Sequence, residues 1–257
     1  MVAAQLASSK DPLENREAVA AVLERFGSVD LLVLPEASQM AFGDSGAELA
    51  LGAERLDGPF VAMLLDASRS GTTIVAGMFE EAGNDRPFNT TVVVRSGELL
   101  GRYRKLHLYD ALGFEESAGI KAGPVEDELV VVPVGDFTMG VMTCFDIRFP
   151  EMAAALCDRG ADLLVLGAAW VPGPRKPEQW DALLTSRAIE TTSYVVAAAQ
   201  PEPRYCGRSR IIDPRGECIA AATPDESCEL AATLSPGLLR EVRSQMPVLG
   251  LRRLSDG

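Results

Sequence analysis

The sequence predicts a layered α/β domain. Short apolar runs of strand length alternate with helix-length patterned stretches, and the second half of the chain repeats the alternation of the first. Helices that cover one face of mixed sheets leave the other faces apolar, so those inner faces must bury each other. The chain has 257 residues, 47% of them hydrophobic, which allows a large core in one domain or two small ones. Neither a linker nor a low-complexity segment divides it.

Val2–Leu6 reads as the first strand. Met1-Val-Ala-Ala-Gln-Leu has no basic segment followed by a long apolar one, so it is not expected to be a signal peptide. Pro12–Phe26 reads as a helix with Asp11 as its N-cap and Gly27 just past its end. Asp30–Leu34 is a strand of the fully buried type. Pro59–Ser70 is a second helix, closed by Gly71, and Thr72–Glu80, Asn89–Arg95 and Leu99–Tyr103 are strands. Ser96-Gly97 marks a hairpin. Glu128–Val132 and Phe137–Met142 are strands, Phe149–Arg159 a helix and Asp162–Leu166 a buried strand. The helix Glu178–Thr191 then leads to the strand Tyr194–Ala199. Arg208–Ile212 and Glu217–Ala221 flank Asp213-Pro-Arg-Gly216, a turn by composition. A strand Glu229–Leu234 and a helix Pro236–Ser244 close the domain.

Lys and Arg number 24 against 37 Asp and Glu, a net charge of −13. Such a surface repels phosphate backbones, so neither nucleic acid nor an anionic membrane is an expected partner. No run approaches a transmembrane span. The five cysteines, Cys144, Cys157, Cys206, Cys218 and Cys228, include no Cys-x-x-Cys pair, and there is one histidine. A zinc site is therefore not expected, and a reduced cytoplasmic protein is. Cys157, on the inner face of a helix, and Cys218 and Cys228, in strands, read as packing residues. Cys206 reads as a surface thiol in a loop.

Three polar residues directly follow apolar strands: Glu36 after Leu31–Pro35, Lys105 after Leu99–Arg104, and Cys144 after Met139–Thr143. Strand ends are where sites form in α/β sheets. A cysteine nucleophile usually draws on a histidine, here His107, but Glu36 and Lys105 offer another relay. A lysine and the helix N-terminus expected near Pro150 would favour a Cys144 thiolate. A carboxylate can take the thiol proton and hand it to a leaving amine. Lys105 and the backbone N–H of Phe145 can stabilise an amide oxyanion, and Glu36 can then activate water.

These segments resemble the nitrilase superfamily of carbon–nitrogen hydrolases, in the compact branch near the Nit proteins and omega-amidases. The likeness runs end to end, through Leu34-Pro-Glu36, Tyr103-Arg-Lys-Leu-His-Leu-Tyr-Asp110, Phe114-Glu-Glu-Ser117, Cys144-Phe-Asp-Ile-Arg-Phe-Pro-Glu151, Arg187-Ala-Ile-Glu190 and Asp213-Pro-Arg-Gly216. It implies a four-layer α-β-β-α sandwich, a single domain over 1–257, and a catalytic Glu36, Lys105 and Cys144. It also implies no metal or organic cofactor and a homodimer or higher homo-oligomer. A second glutamate would orient Lys105 and the substrate; it maps to Glu116, with Glu115 as the rival register. His107 becomes a loop-holding residue.

Two further residues are open. Arg148 would meet a substrate carboxylate or pair internally with Glu151 or Asp146, and Trp170 would line the pocket or pack. The resemblance breaks at Val171-Pro-Gly-Pro-Arg-Lys-Pro-Glu-Gln-Trp180, where Nit relatives carry a Thr-Gly-x-Ala-His-Trp-like stretch. A rebuilt loop reshapes a pocket without touching the reaction type. The expected activity is cysteine-dependent hydrolysis of a small linear amide to a carboxylate and ammonia through a thioester. The alternatives are N-carbamoyl amine or nitrile hydrolysis by the same residues, a non-catalytic binding member of the fold, or a thiol redox protein pairing Cys144 with Cys157.

Overall fold

The computed structural model describes residues 1–253 apart from 27, 44, 84, 85 and 126–128. Among these residues the first sheet holds β1 (Val2–Gln5), β2 (Leu31–Val33) and β3 (Thr73–Glu80) in parallel. It continues antiparallel through β4 (Phe88–Arg95) and β5 (Glu98–Arg104). A short ribbon of β6 (Asp110–Ala111) and β7 (Phe114–Glu115) follows. The second sheet contains β8 (Val131–Val134), β9 (Phe137–Thr143), β10 (Leu163–Ala168), β11 (Tyr194–Ala199), β12 (Arg210–Ile212) and β13 (Cys218–Ala221). Its centre, β9–β10–β11, is parallel and its flanks are antiparallel. β14 (Cys228–Ala231) pairs antiparallel with β1, which makes β1 an interior strand.

The period of two along each strand divides the side chains between layers. Leu31 and Val33 enter the core between the sheets, with Val75, Val93, Val141 and Val165. Leu32 and Leu34 face the other way, onto α1 (Pro12–Arg25) and, past the short α2 (Gly46–Gly52), α3 (Pro59–Ala67). On the far side, α4 (Pro150–Asp158) and α5 (Lys176–Thr191) cover β9 and β11. The amphipathic α6 (Pro236–Gln245) follows β14. The result is an α-β-β-α sandwich.

Local chemistry explains the boundaries. Asp11 caps α1 by accepting from Leu13 N–H at 2.8 Å. The β4–β5 hairpin turns on Ser96 (φ 53°) and Gly97 (φ 79°), the two left-handed positions of a tight hairpin. β8 runs on to Val134 because it is an edge strand, where Pro133 forfeits no ladder bond. Its expected start, Glu128, lies outside the described residues, as does Gly27. α2 was not foreseen: glycines at both ends hide it, yet Ser45 caps it by accepting from Glu48 N–H at 3.2 Å.

Two cysteine expectations are corrected. Cys206 is buried, drawn under the fold by a backbone bond from its N–H to Trp170 O at 2.9 Å, and burial pushes its thiol up to about 11. Cys218 is exposed, because it sits on the edge strand β13. No helix among the described residues is long and apolar enough to cross a membrane.

Candidate active site

The carboxyl ends of the parallel strands meet at one cavity of about 260 Å³. Glu36 follows β2, Cys144 follows β9, Ala169 follows β10, and Lys105 follows β5. Glu116 arrives on the single helical turn after β7.

Glu36 is held through its backbone carbonyl and both carboxylate oxygens. Its backbone is pinched between the sheets: a Cβ on Gly77 of β3 would lie 2.6 Å from Glu36 Cα, and one on Gly167 of β10 would lie 2.8 Å from Glu36 N. Ala37, next along, takes a left-handed φ of 58°. Gln200, just past β11, donates to Glu36 O at 2.8 Å. The carboxylate accepts from Asn89 Nδ2 (2.7 Å) and Lys105 Nζ (2.9 Å) on Oε1, and from Ala169 N–H (2.7 Å) on Oε2. Gly77→Ala is expected to push this segment out of place. It should cost about 1–3 kcal/mol of stability through overpacking and lower turnover more than an equally destabilising change remote from Glu36. Denaturant melts beside turnover rates check this.

Lys105 is 2% exposed, and its three N–H donors reach Glu36 Oε1 (2.9 Å), Glu116 Oε1 (3.0 Å) and Glu116 Oε2 (2.8 Å). Glu116 also accepts from Tyr109 N–H at 2.7 Å and from Asn89 Nδ2 at 3.1 Å. Of the two neighbouring glutamates it is Glu116 that reaches Lys105, while Glu115 is exposed. Burial alone would lower the Lys105 pKa, but the charges of Glu116 and Glu36 outweigh it and raise it well above the ordinary lysine value. Burial alone would likewise raise Glu36; the Lys105 charge and hydrogen bonds from Cys144, Lys105 and Ala169 hold it below the usual range.

Cys144 sits at φ 48°, a strained left-handed position for a residue with a side chain. It opens a 3₁₀ turn, Cys144–Arg148, braced by a reciprocal cap between Thr143 and Asp146. Asp146 Oδ2 accepts from Thr143 N–H (2.9 Å) and from Tyr103 Oη–H (2.7 Å). The His107 ring meets Asp146 Oδ1 at 2.7 Å and stacks on Phe149 at 3.7 Å, so the histidine supports this turn rather than the thiol. The Phe145 N–H, second in the turn, is among the amides a helix start leaves free of intrahelical acceptors.

The thiolate expectation is overturned. Burial and the adjacent Glu36 charge, against the weaker pull of Lys105, push the Cys144 pKa well above its ordinary value. The helix α4 begins at Pro150, where it was expected, one 3₁₀ turn past Cys144. With its own pKa raised and that of Glu36 lowered, Cys144 rests as a thiol in the same cavity as an ionised Glu36. If that carboxylate takes the proton, kcat/KM must fall as pH drops through the Glu36 pKa. Because that pKa is depressed, the acid limb is expected below the ordinary glutamate value. A pH–rate profile whose acid limb lies near histidine's range counts against this arrangement.

Arg148 does not line the cavity. Its guanidinium donates to Gln179 Oε1 at 2.6 Å and lies 5.0 Å from the Trp170 ring and 5.8 Å from Phe145, so neither pairing with Glu151 or Asp146 forms. Trp170 does both things expected of it: it lines the cavity and packs on Trp180 at 5.2 Å. Cys157 faces Ser193 Oγ at 3.7 Å, not the cavity.

Sequence reasoning missed Asn89, Tyr109 and Lys176. Asn89 bridges the two glutamates while its own Oδ1 has no hydrogen-bond partner. Its signal was faint, a polar residue opening an apolar strand. Lys176 stands in the rebuilt 171–180 stretch and lines the cavity with Tyr109. Among the described residues no three His, Cys, Asp or Glu side chains are grouped to hold a metal ion.

A family model described as carbon–nitrogen hydrolase matches residues 3–244. The chain is 41% identical over 229 residues to a deaminated glutathione amidase of Escherichia coli O157:H7, covering 88% of this chain and 86% of that one. Its fold superposes on a carbon–nitrogen hydrolase superfamily protein of Xanthomonas campestris, whose structure carries an arsenic adduct in the active site. The TM-score is 0.87 at 26% identity, over 100% of this chain and 98% of that one. Saccharomyces cerevisiae Nit3, a nitrilase superfamily member, shares the fold at a TM-score of 0.85 and 24% identity, over 98% of this chain and 96% of that one.

Proposed function

The chain belongs to the carbon–nitrogen hydrolase family and is a hydrolase of carbon–nitrogen bonds; on that premise we propose that it cleaves a small linear amide to a carboxylate and ammonia through a thioester on Cys144. The observation that carries this reading is that Glu36, Lys105 and Cys144 line one cavity, with Lys105 Nζ bonded to the Glu36 carboxylate at 2.9 Å.

The sulfur attacks the amide carbon as its proton passes to Glu36, so no standing thiolate is required. The carbonyl oxygen becomes an oxyanion, which accepts from the Phe145 N–H and Lys105. All three Lys105 donors are engaged at rest, two of them by Glu116. When Glu116 loosens to a single bond, one donor turns to the oxyanion. Glu116 is thus the group that aims Lys105. Protonated Glu36 then gives its proton to the nitrogen, the C–N bond breaks and ammonia leaves. Glu36, again a carboxylate, takes a proton from water; the hydroxide adds to the thioester carbon, the C–S bond breaks, and the proton returns to sulfur. One water is consumed per amide.

A cavity of about 260 Å³ is small beside the roughly 300–1,000 Å³ of most ligand pockets, which supports a small substrate. None of the five cysteines is disulfide-bonded, which fits a reducing cytoplasm. A single domain over 1–257 and a homodimer or higher homo-oligomer follow from the family resemblance alone. The test is ammonia release from a panel of omega-amides and N-carbamoyl amines, with intact mass after acid quench. An acyl adduct on Cys144 is expected. No ammonia from any member and no adduct would overturn the proposal.

A further inference from the structure

The cavity contains a cation that the amide chemistry above does not use. Lys176, the first residue of α5, is 2% exposed and lines the cavity. Its ammonium lies 4.1 Å from the Trp170 ring centroid and 4.4 Å from that of Tyr109. Its hydrogen-bonding partner is the Tyr109 hydroxyl at 3.4 Å, and no carboxylate among the described residues pairs with it. The contrast with Lys105, gripped by two glutamates, is plain. Burial draws the Lys176 pKa down, with the Arg148 and Lys105 charges pushing the same way against the opposing influence of Cys144 and Cys206. A second cation, Arg204, lines the same cavity and donates to Phe42 O.

A buried ammonium without a counter-ion is unfavourable, and aromatic faces offset only part of that. On a chain with 37 acidic residues and 24 basic ones, a buried lysine that no carboxylate pairs with is an unusual placement. The missing element is an anion, and the open side of this ammonium is the cavity where the substrate must sit. Trp170 holds the lysine's backbone there, its Nε1–H donating to Lys176 O at 2.9 Å.

We propose that Lys176 determines specificity in this cavity by receiving a carboxylate carried by the substrate, so that amides bearing a carboxylate are preferred over neutral amides of the same length. That an amide is what binds rests on the hydrolase reading above; that Lys176 binds an anion does not. Hydrolysis then yields ammonia and a product with two carboxylates, one made at Cys144 and one held by Lys176.

The test compares kcat/KM for succinamate and glutaramate with that for butanamide and pentanamide, in the parent enzyme, Lys176→Met and Lys176→Arg. The acid-to-neutral ratio is expected to fall about 10- to 100-fold in Lys176→Met, mostly through KM, and to be largely kept in Lys176→Arg. A ratio unchanged in Lys176→Met overturns the proposal. A second readout needs no turnover: glutarate should protect Cys144 from iodoacetamide, and Lys176→Met should need at least about tenfold more glutarate for the same protection. Equal protection in both, or none in the parent, also overturns it. If the parent releases ammonia from no amide, the hydrolase reading fails, and glutarate protection alone decides the role of Lys176.

Discussion

Cys144→Ala is expected to lower ammonia release by at least about 10⁴-fold in kcat, because no other group in the cavity can form the acyl intermediate. The neighbouring candidates are accounted for. Cys157 faces Ser193, and Cys206 is buried in the fold with its thiol pushed up to about 11. The fold should survive the change. Alanine at φ 48° carries the same backbone strain as the cysteine it replaces, and the loss of one buried sulfur leaves a small cavity worth about 1 kcal/mol. Substrate binding should also persist, so the variant separates binding from chemistry. The checks are ammonia release, circular dichroism and the mass of the acid-quenched protein. Retained turnover with Ala at this position removes the nucleophile from the mechanism.

Lys105→Ala should harm both the reaction and the fold. Removing an oxyanion donor is expected to cost about 10²- to 10³-fold in kcat. The structural cost arises because Glu36 and Glu116, 1% and 2% exposed in their side chains, would then face each other without a cation. Breaking a buried pair by removing one partner costs about 3–5 kcal/mol. The pH dependence identifies the cause. In the parent protein the Lys105 pKa is raised, so its contribution is complete below the ordinary lysine value and is lost only as pH rises through the folded value. The Glu36 pKa is lowered, so its contribution is present above the ordinary glutamate value and is lost as pH falls through the folded value. In the variant the two carboxylates would share a proton. The stability gap between parent and variant should therefore be widest near neutral pH and should narrow in acid. Denaturant melts at pH 5 and pH 8 measure it. A gap that stays constant across that range would mean the cluster is not the source.

Much of this was legible in advance for a local reason. The alternation of Leu31 and Val33 with Leu32 and Leu34 is a property of any β-strand, and a run buried on both faces announces a central strand. Asp11 with Pro12, and Ser96 with Gly97, are local turn and cap chemistry that needs no distant partner. Elements escaped where local signals conflicted with context. Gly46 and Gly52 argue against the helix they bound, and Pro133 argues against a strand that tolerates it only because it lies at an edge. Arg148 and Cys206 were misjudged for a related reason: whether a side chain reaches a cavity or a surface depends on what folds over it.

The sequence by itself determined the order of strands and helices and put Glu36, Lys105 and Cys144 at strand ends, because period, caps and turns act over a few residues. Only the tertiary structure decided that Cys144 is a thiol and not a thiolate, since its pKa is set by burial and by the charges of Glu36 and Lys105, 108 and 39 residues away in the chain. It alone assembled Gly77 and Gly167 into the vice around Glu36, and it alone left Lys176 facing the cavity with no carboxylate paired to it. Those are facts of approach between segments remote in sequence, and no local pattern encodes a distance.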